Sequence, residues 1–293
     1  DKRRGLRKKL YPEGRAVSEF LSLNDDPGPN FAQLLRKSGL EPPVPAGDVS
    51  STFDVVKGTT CVAVRYVDGV IIAGDRRATA GSMISHRSIQ KVFAADHHSG
   101  VAIAGAAGPA IEMVKLFQLQ LEHYEKVEGT SLSLEGKANQ LSQMLRNNLP
   151  MAMQGLAVVP IFAGYDVAAD EGRLYQYDVT GGRYEELDYT ATGSGSLYAG
   201  TVIKINFVDE MSRDQAVDLV IEALFQAADD DSATGLPDLI RGVYPVVATI
   251  SADGFDRVDD EELAERTRDL IDKFTRAGGR DGGNSLSTEV GPR

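Results

Sequence analysis

The chain has 293 residues, of which 42% are hydrophobic and 25% are charged, values typical of a folded globular protein. Its 43 acidic and 31 basic side chains give a net charge of −12, which argues against broad binding of nucleic acids or anionic membranes. No apolar run is long enough to suggest a membrane-spanning segment, and the single cysteine, Cys61, excludes an internal disulfide. We therefore expect a cytoplasmic protein.

The first 58 residues differ in composition from the rest of the chain. They carry ten Lys or Arg and eight Asp or Glu, whereas the remainder is strongly acidic. Two segments that contain prolines, 25–30 and 41–45, leave room for only a short amphipathic helix, predicted over 30–38. Burial of the few apolar residues in this segment would not offset the conformational entropy lost on ordering it. We therefore expect 1–58 to be an extended or flexible appendage.

A β-rich region follows this leader. Two β-rich runs, 61–66 and 70–74, flank an Asp68-Gly69 pair. Glycine accepts positive φ, so the pair favours a tight hairpin between the two runs. The same pattern predicts two further strands, at 89–93 and 100–105.

Helical and strand patterns then alternate along the chain. Apolar residues at helical spacing predict helices at 109–126, 134–148, 213–228 and 259–277. Alternating or continuous apolar runs predict strands at 156–165, 173–177, 183–187, 246–250 and 255–258. The glycine-containing stretch 192–196 is predicted to lead into a further helix. Ser212 and Gln215 have the spacing of a capping box at the start of one of these helices.

The order of these elements predicts the fold class. Hairpins interleaved with pairs of helices do not follow the strict alternation of a doubly wound sheet. The strand at 156–165 is almost continuously apolar, which indicates burial on both faces. We therefore predict an α+β protein with a four-layer αββα sandwich, in which two antiparallel sheets lie between helix layers. The folded domain would span 59–277, and 278–293 would be a flexible tail.

The junction Gly58-Thr59-Thr60 precedes the first strand and admits two interpretations. Gly58 can form a turn before a strand that opens at Thr59. Alternatively, cleavage of the Gly58–Thr59 bond would free the α-amine of Thr59 beside its own hydroxyl. The α-amine of a peptide ordinarily has a pKa of about 7.7–8.0, so this one residue would supply both a nucleophile and a general base.

Such a nucleophile needs a cation, an orienting carboxylate and backbone N–H groups for the oxyanion. Asp75, Lys91 and Gly105 lie at or near predicted strand ends and have the right chemistry. Each also has an ordinary explanation. Asp75 can be a turn residue paired with the adjacent arginines, Lys91 a solvated charge, and Gly105 a glycine that allows close packing.

Other candidate chemistry is weaker. Cys61 lies within an alternating strand, so we interpret it as a small buried hydrophobe. The stretch 193–196 lacks the lysine of a phosphate-binding loop and the full dinucleotide fingerprint. The sequence predicts neither a metal nor another cofactor, because no metal-binding spacing is found among the four histidines, His86, His97, His98 and His123.

Six motifs together resemble a proteasome β subunit. They are Gly58-Thr59-Thr60, Gly74-Asp75-Arg76-Arg77-Ala78-Thr79, Lys91-Val92-Phe93, Ile103-Ala104-Gly105, Gly193-Ser194-Gly195-Ser196 and Asp231-Ser232-Ala233-Thr234-Gly235. The segments 121–126 and 153–156 resemble subunits of the actinobacterial type in particular. The resemblance covers residues 58–277, with the motifs in the family's order and spacing.

This resemblance implies a threonine-type endopeptidase with the fold of an N-terminal-nucleophile hydrolase, whose catalytic domain spans 59–277. Thr59 would be the nucleophile, and its freed amine would be the base. Asp75 and Lys91 would form the charged pair that tunes the site, while the N–H of Gly105 would line the oxyanion hole. The residues that would support the amine and its proton path are Ser194, Asp231 and Thr234.

The resemblance also implies how a substrate is held. The backbones of Thr79, Gly105 and Ala107 would bind the peptide as an added strand. Six residues match the pocket for the residue before the cut: Ala78, Ile89, Phe93, Ile103, Ala107 and Ala110. All six are apolar, which predicts cleavage after apolar residues.

The leader gains a role from the same resemblance. Residues 1–58 resemble a propeptide that protects the amine and assists assembly before self-cleavage between Gly58 and Thr59. The sequence with Gly58 attached would then be the inactive precursor. The implied partners are other β subunits and α subunits in stacked heptameric rings, an ATPase or other activator, and unfolded protein substrates. No nucleic-acid or membrane partner is expected.

Two positions depart from the family pattern, although neither removes a catalytic group. Leu236 follows Gly235 where a second glycine is usual, and Thr234 stands where serine is common. Two rival interpretations remain. One is a threonine protease of hexameric rings that works with an unfoldase, which the long leader argues against. The other is a ring subunit without activity, which the complete set of catalytic positions argues against.

Overall fold

The computed structural model of the chain describes residues 59–80 and 83–278. The predicted leader at 1–58 with its helix at 30–38, the residue Gly58 of the predicted cleavage site, and the tail beyond 278 lie outside the described residues. Within them the chain forms twelve strands and six helices.

Five strands form the first sheet: β1 (Thr60–Tyr66), β2 (Gly69–Gly74), β10 (Tyr189–Gly193), β11 (Val246–Ser251) and β12 (Gly254–Arg257). All neighbouring pairs are antiparallel, in the order β10-β1-β2-β11-β12. β1 and β2 form the predicted hairpin. A Cβ at Gly69 would lie 2.1 Å from the Ile250 carbonyl oxygen, so the glycine also lets β2 and β11 approach closely.

The second sheet consists of five strands in chain order: β5 (Val92–Asp96), β6 (Ser99–Gly105), β7 (Val158–Asp166), β8 (Glu171–Tyr177) and β9 (Arg183–Glu186). These strands are antiparallel as well. A separate hairpin joins β3 (Ala78–Ala80) to β4 (Met83–His86).

The helices are α1 (Ala107–Glu128), α2 (Leu134–Asn147), α3 (Leu149–Ala152), α4 (Ser196–Asn206), α5 (Arg213–Asp230) and α6 (Asp260–Gly278). Their ends follow the signals in the sequence. Ser212 and Gln215 form the predicted capping box at α5, and Gly129 ends α1 in the left-handed conformation with φ 70°. None of the described helices is both long and apolar enough to cross a membrane.

Side chains along β1 alternate between two apolar cores. Val62 and Val64 pack in a cluster with residues of α4, α5 and α6. Cys61 and Ala63 instead pack in a cluster that draws its buried residues from both sheets. A further cluster joins the second sheet to α1 and α2. The chain therefore combines helices with two antiparallel sheets, and β1, β2 and β11 of the first sheet are buried on both faces.

Several observed elements differ from the prediction. The strand predicted at 89–93 begins only at Val92, so Ile89 and Lys91 precede it. The strand β10 lies where only a turn before a helix was expected, and the β3–β4 hairpin was not predicted. β10 is a short edge strand with two threonines, and only its pairing with β1 makes it a strand.

Candidate active site

A buried ion pair forms the first part of the site. Asp75 follows directly after β2 and is fully buried, and Lys91 Nζ lies 2.6 Å from Asp75 Oδ1. Three backbone N–H groups also donate to this carboxylate: those of Thr60 (2.8 Å), Arg77 (2.8 Å) and Gly235 (2.9 Å). Removing two charges from water costs several kcal/mol per ion, so these donors are needed to hold the pair in the interior.

The ordinary explanations of these two residues are wrong. Lys91 is only 2% exposed and is not a solvated charge. Asp75 accepts from the backbone N–H of Arg77 rather than from a guanidinium, and the Arg77 guanidinium donates to the Ser232 carbonyl instead (3.0 Å). The pair therefore lies in the interior of the fold. A buried ion pair of this kind is a candidate for a functional site.

The pair lies where the ends of the two sheets meet. Asp75 comes from the end of β2 in the first sheet, and Lys91 comes just before β5 in the second. The backbone N–H of Ile103 in β6 donates to the Lys91 carbonyl at 2.9 Å, which ties the lysine to the second sheet. A Cβ at Gly74 would lie 3.5 Å from the Lys91 Cβ, so the first sheet is in contact with the lysine too.

A second carboxylate, that of Asp231, is connected through Ser194 to Thr59, which is only 5% exposed. Asp231 Oδ2 accepts hydrogen bonds from Ser194 Oγ (2.5 Å) and from Thr234 Oγ1 (2.6 Å). Ser194 also donates its backbone N–H to the Thr59 carbonyl at 2.9 Å. The structure thus brings Ser194 to the motif that contains Asp231 and Thr234, and connects the three residues to Thr59.

Sequence reasoning gave no role to Thr60, which connects the two carboxylates. Its backbone N–H donates to Asp75, while its hydroxyl lies 2.5 Å from Thr234 Oγ1 and accepts from the Gly195 N–H at 3.0 Å. The only signal in the sequence was its position directly after Thr59. The sequence did not predict that the backbone N–H groups of Arg77 and Gly235 donate to Asp75. The identity of a residue does not show in which direction its backbone amide points.

Gly105, the predicted oxyanion-hole residue, ends β6 in a conformation that favours glycine. Its φ is 101°, and a Cβ there would lie 2.2 Å from the Ala157 carbonyl oxygen. The next residue, Ala106, donates its N–H to the same carbonyl at 2.8 Å. A backbone constraint therefore explains the glycine, and a larger residue would move the end of this strand.

The residues predicted to bind substrate come from several elements. Phe93, Ile103 and Ala110 share the apolar cluster between the second sheet, α1 and α2. Ala78, Ile89 and Ala107 lie outside that cluster, and Ala78 is buried while the other two are partly exposed. Thr79 lies in β3, where it pairs with Ile84.

Cys61 is not a competing nucleophile. The residue is fully buried, and its Sγ lies 3.5 Å from the Ile103 carbonyl oxygen. Burial raises the pKa of this thiol to about 12, so the thiolate does not form near neutral pH. The interpretation of Cys61 as a small buried residue is confirmed.

A buried lysine–aspartate pair lies next to a threonine at the meeting ends of two antiparallel sheets, which is the set of groups that a threonine-type peptidase needs. Comparison with known proteins gives the family. The model of the proteasome subunit family matches residues 55–237. The chain therefore belongs to the proteasome family.

Individual relatives agree with this family. A protein named proteasome subunit beta from Acidimicrobium ferrooxidans is 53% identical over 255 residues, which cover 87% of this chain and 93% of the relative. The protein of the same name from Streptomyces griseus is 52% identical over 90% of each chain. A third, from Acidothermus cellulolyticus, is 55% identical over 86% of this chain and 85% of its own length. The predicted resemblance, including its actinobacterial type, is confirmed.

Proposed function

We propose that this chain is the catalytic β subunit of a proteasome core particle and hydrolyses peptide bonds of unfolded proteins. Thr59 is the nucleophile. One observation carries this proposal above all others: the buried Asp75–Lys91 pair is hydrogen-bonded to the residue that follows Thr59. The high identity to three relatives named proteasome subunit beta supports the same function.

Activation requires cleavage between Gly58 and Thr59. The freed α-amine of Thr59 then serves as the base for the hydroxyl of the same residue. A nearby ammonium group favours the neutral form of an amine, which is the role we assign to Lys91, and Asp75 holds that lysine in place. Residues 1–58 are the propeptide, and 59–277 form the catalytic domain.

The reaction proceeds through a covalent ester. Thr59 Oγ attacks the scissile carbonyl carbon while its proton passes to the α-amine. The N–H of Gly105 donates to the oxyanion that forms. When the carbon–nitrogen bond breaks, the leaving amine takes the proton from the α-ammonium. Water then hydrolyses the ester, with the α-amine again accepting a proton, and Thr59 is restored.

Ser194, Asp231 and Thr234 support this amine and its proton path. Their hydrogen bonds converge on Asp231 Oδ2, and Ser194 N–H reaches the Thr59 carbonyl. The backbones of Thr79, Gly105 and Ala107 hold the peptide as an added strand. Thr234 in place of the more common serine keeps the hydroxyl that the network uses.

The fold that we propose for this enzyme is the four-layer αββα sandwich of N-terminal-nucleophile hydrolases. Three observations support it: one apolar cluster contains strands of both sheets, a second contains the first sheet with α4 to α6, and a third contains the second sheet with α1 and α2. The tail at 278–293 is flexible in this proposal.

The subunit works in stacked heptameric rings with other β subunits and α subunits in the cytoplasm, fed by an ATPase or other activator. Large apolar side chains on the surface of the described residues support such an assembly, since a free monomer exposes few of them together. On α1 and α4 they include Leu116, Leu119, Val127, Leu197 and Ile205.

Co-expression with the partner α subunit tests the proposal. Assembled wild-type particles should contain a β subunit whose intact mass has lost residues 1–58, and they should cleave a fluorogenic peptide. Thr59→Ala should assemble, keep the leader and lack activity, because neither the hydroxyl nor a freed threonine amine is available. Thr59→Ser, the matched control, should still be processed. Retention of residues 1–58 in active wild-type particles, or activity of the alanine variant, would contradict the mechanism.

A further inference from the structure

We propose that the hydroxyl of Thr60 is a positioning group for the reaction, and that Gly195 is a glycine in order to make room for it. Through Thr234, this hydroxyl holds Asp231 in the orientation in which it supports Ser194 and Thr59. The inference rests on the proposed function and adds two residues to the site.

The backbone of Thr60 is fixed on Asp75. Its N–H donates to Asp75 Oδ1 (2.8 Å), and its carbonyl accepts from the Asp75 N–H (3.1 Å). The residue is fully buried at the start of β1. Because the backbone is held on both sides, the hydroxyl has a defined place in the interior.

The hydroxyl of Thr60 belongs to a chain of hydrogen bonds, called the row below, in which each donor and acceptor can be assigned in only one way. The Asp231 carboxylate can only accept, so Thr234 gives its single proton to Asp231 Oδ2 (2.6 Å). Thr60 must therefore donate to Thr234 Oγ1 (2.5 Å), since no other proton is available for that contact. The Gly195 N–H, which can only donate, fills the acceptor position on Thr60 (3.0 Å).

Space, rather than backbone freedom, explains the glycine at 195. Its φ of −88° is open to any residue. A Cβ at this position, however, would lie 2.4 Å from Thr60 Oγ1 and 2.8 Å from Thr234 Oγ1. A side chain would push both hydroxyls out of the row. This accounts for a glycine in a stretch that shows no phosphate-binding fingerprint.

The row ends on the Asp231 carboxylate, which is connected to the nucleophile Thr59 through Ser194. Asp231 Oδ2 also accepts from Ser194 Oγ (2.5 Å), and Ser194 donates its backbone N–H to the Thr59 carbonyl (2.9 Å). Hydrogen bonds in such a row polarise one another. Without the Thr60 hydroxyl, Thr234 becomes a weaker donor and leaves more of the Asp231 charge directed at the amine of Thr59.

Thr60 acts on the rate and not on substrate binding. A fully buried side chain does not touch a peptide, so KM should not change when its hydroxyl is removed. A more exposed Asp231 charge favours the protonated amine, which cannot act as a base. The acid limb of kcat/KM should therefore move to higher pH in a variant that lacks the hydroxyl.

The test uses particles assembled with the α subunit and checked for processing by intact mass. Thr60→Val removes the hydroxyl at nearly constant shape, and Thr60→Ser keeps it. Thr190→Val is the matched control: Thr190 is buried in the neighbouring strand β10, and its hydroxyl has no hydrogen-bond partner within the described residues. Thr60→Val should lower kcat by about tenfold or more with KM changed by less than about twofold, and should move the acid limb to higher pH. Both other variants should behave like the wild type.

Each result of this test supports or contradicts the proposed role of the Thr60 hydroxyl. Wild-type kcat and pH profile in Thr60→Val, or a change in KM alone, would overturn the proposal. Particles of this variant that assemble but keep residues 1–58 would support it, because self-cleavage uses the same groups. If Thr60→Val does not assemble, Thr60→Ala replaces it; if neither assembles while Thr60→Ser does, the residue serves folding and the proposal is wrong. An active Thr59→Ala particle would defeat the proposed function itself, whatever Thr60→Val shows.

Discussion

Buried polar side chains in this chain are of two kinds. Asp75, Thr60 and Thr234 have hydrogen-bond partners for their polar atoms, and all of them surround Thr59. The Thr190 hydroxyl is equally buried but has no partner in the described part of the chain. Since leaving a buried polar atom unpaired costs free energy, the unpaired hydroxyl of Thr190 lowers the stability of the fold.

Thr190→Val should therefore stabilise the chain. The variant replaces an unpaired hydroxyl by a methyl group of similar size, and the free energy of unfolding should rise by about 1 kcal/mol. Urea unfolding measures this change. Thr192→Val in the same strand is the control, because the Thr192 hydroxyl donates to the Val159 carbonyl at 3.3 Å and its loss should be neutral or destabilising. Equal effects of the two substitutions would show that the missing partner is not the cause.

At the scale of elements, the turn between β8 and β9 depends on one carboxylate. Asp178 Oδ1 accepts from the N–H and hydroxyl of Thr180 (2.8 and 2.7 Å) and from the Gly182 N–H (2.9 Å), while Oδ2 accepts from the Tyr184 hydroxyl (3.0 Å). The Thr180 hydroxyl and the Gly182 N–H are the main reasons why the pKa of Asp178 falls to about 2. The charged form of Asp178 thus stabilises this turn.

Asp178→Asn should destabilise the chain at neutral pH but not at strongly acid pH. A lowered pKa in the folded state gives stability that is present above the unfolded value near 4 and is lost as the pH falls towards about 2. The difference in unfolding free energy between wild type and variant should shrink over that range. Urea unfolding at pH 7, 4 and 2 measures it. Asp209→Asn, at an exposed position before α5, is the control and should show no such trend.

The elements that the sequence predicted best carry local signals. The Asp68-Gly69 pair specified the β1–β2 hairpin, and Ser212 with Gln215 specified the start of α5. β10 carries no such signal, because its five residues form a strand only through pairing with β1, as in the register of Thr190 with Ala63. The β3–β4 hairpin also lacks a local signal, because its short strands have little hydrophobic alternation of their own, and it was not predicted.

At the scale of the whole molecule, the proposed substrate pocket combines residues of distant elements. Ala78 comes from β3, Phe93 and Ile103 come from the second sheet, and Ala110 comes from α1. All of these side chains are apolar, and none brings a charge that could pair with an acidic or basic substrate residue. We therefore propose that this pocket selects its substrate residue by shape and hydrophobicity.

Assembled particles should accordingly cleave peptides after apolar residues. Fluorogenic peptides that differ only in the residue before the cut, Leu or Tyr against Arg or Glu, measure this preference as the ratio of kcat/KM values. Leu and Tyr should be favoured, because burying a charge in an apolar pocket without a partner is unfavourable. Faster cleavage after Arg or Glu would show that other residues line the pocket.

The sequence by itself determined the motifs, most of the strands and helices, and the candidate residues Thr59, Asp75 and Lys91. It did so because periodicity, turn chemistry and motif spacing are written along the chain. Only the tertiary structure decided that the Asp75–Lys91 pair is buried, and that Thr60 connects it to Asp231 through Thr234. The physical reason is that burial and hydrogen bonding depend on which segments fold against each other, and the contacts of Thr60 with Thr234 and of Asp75 with Gly235 each span more than 150 positions of the sequence.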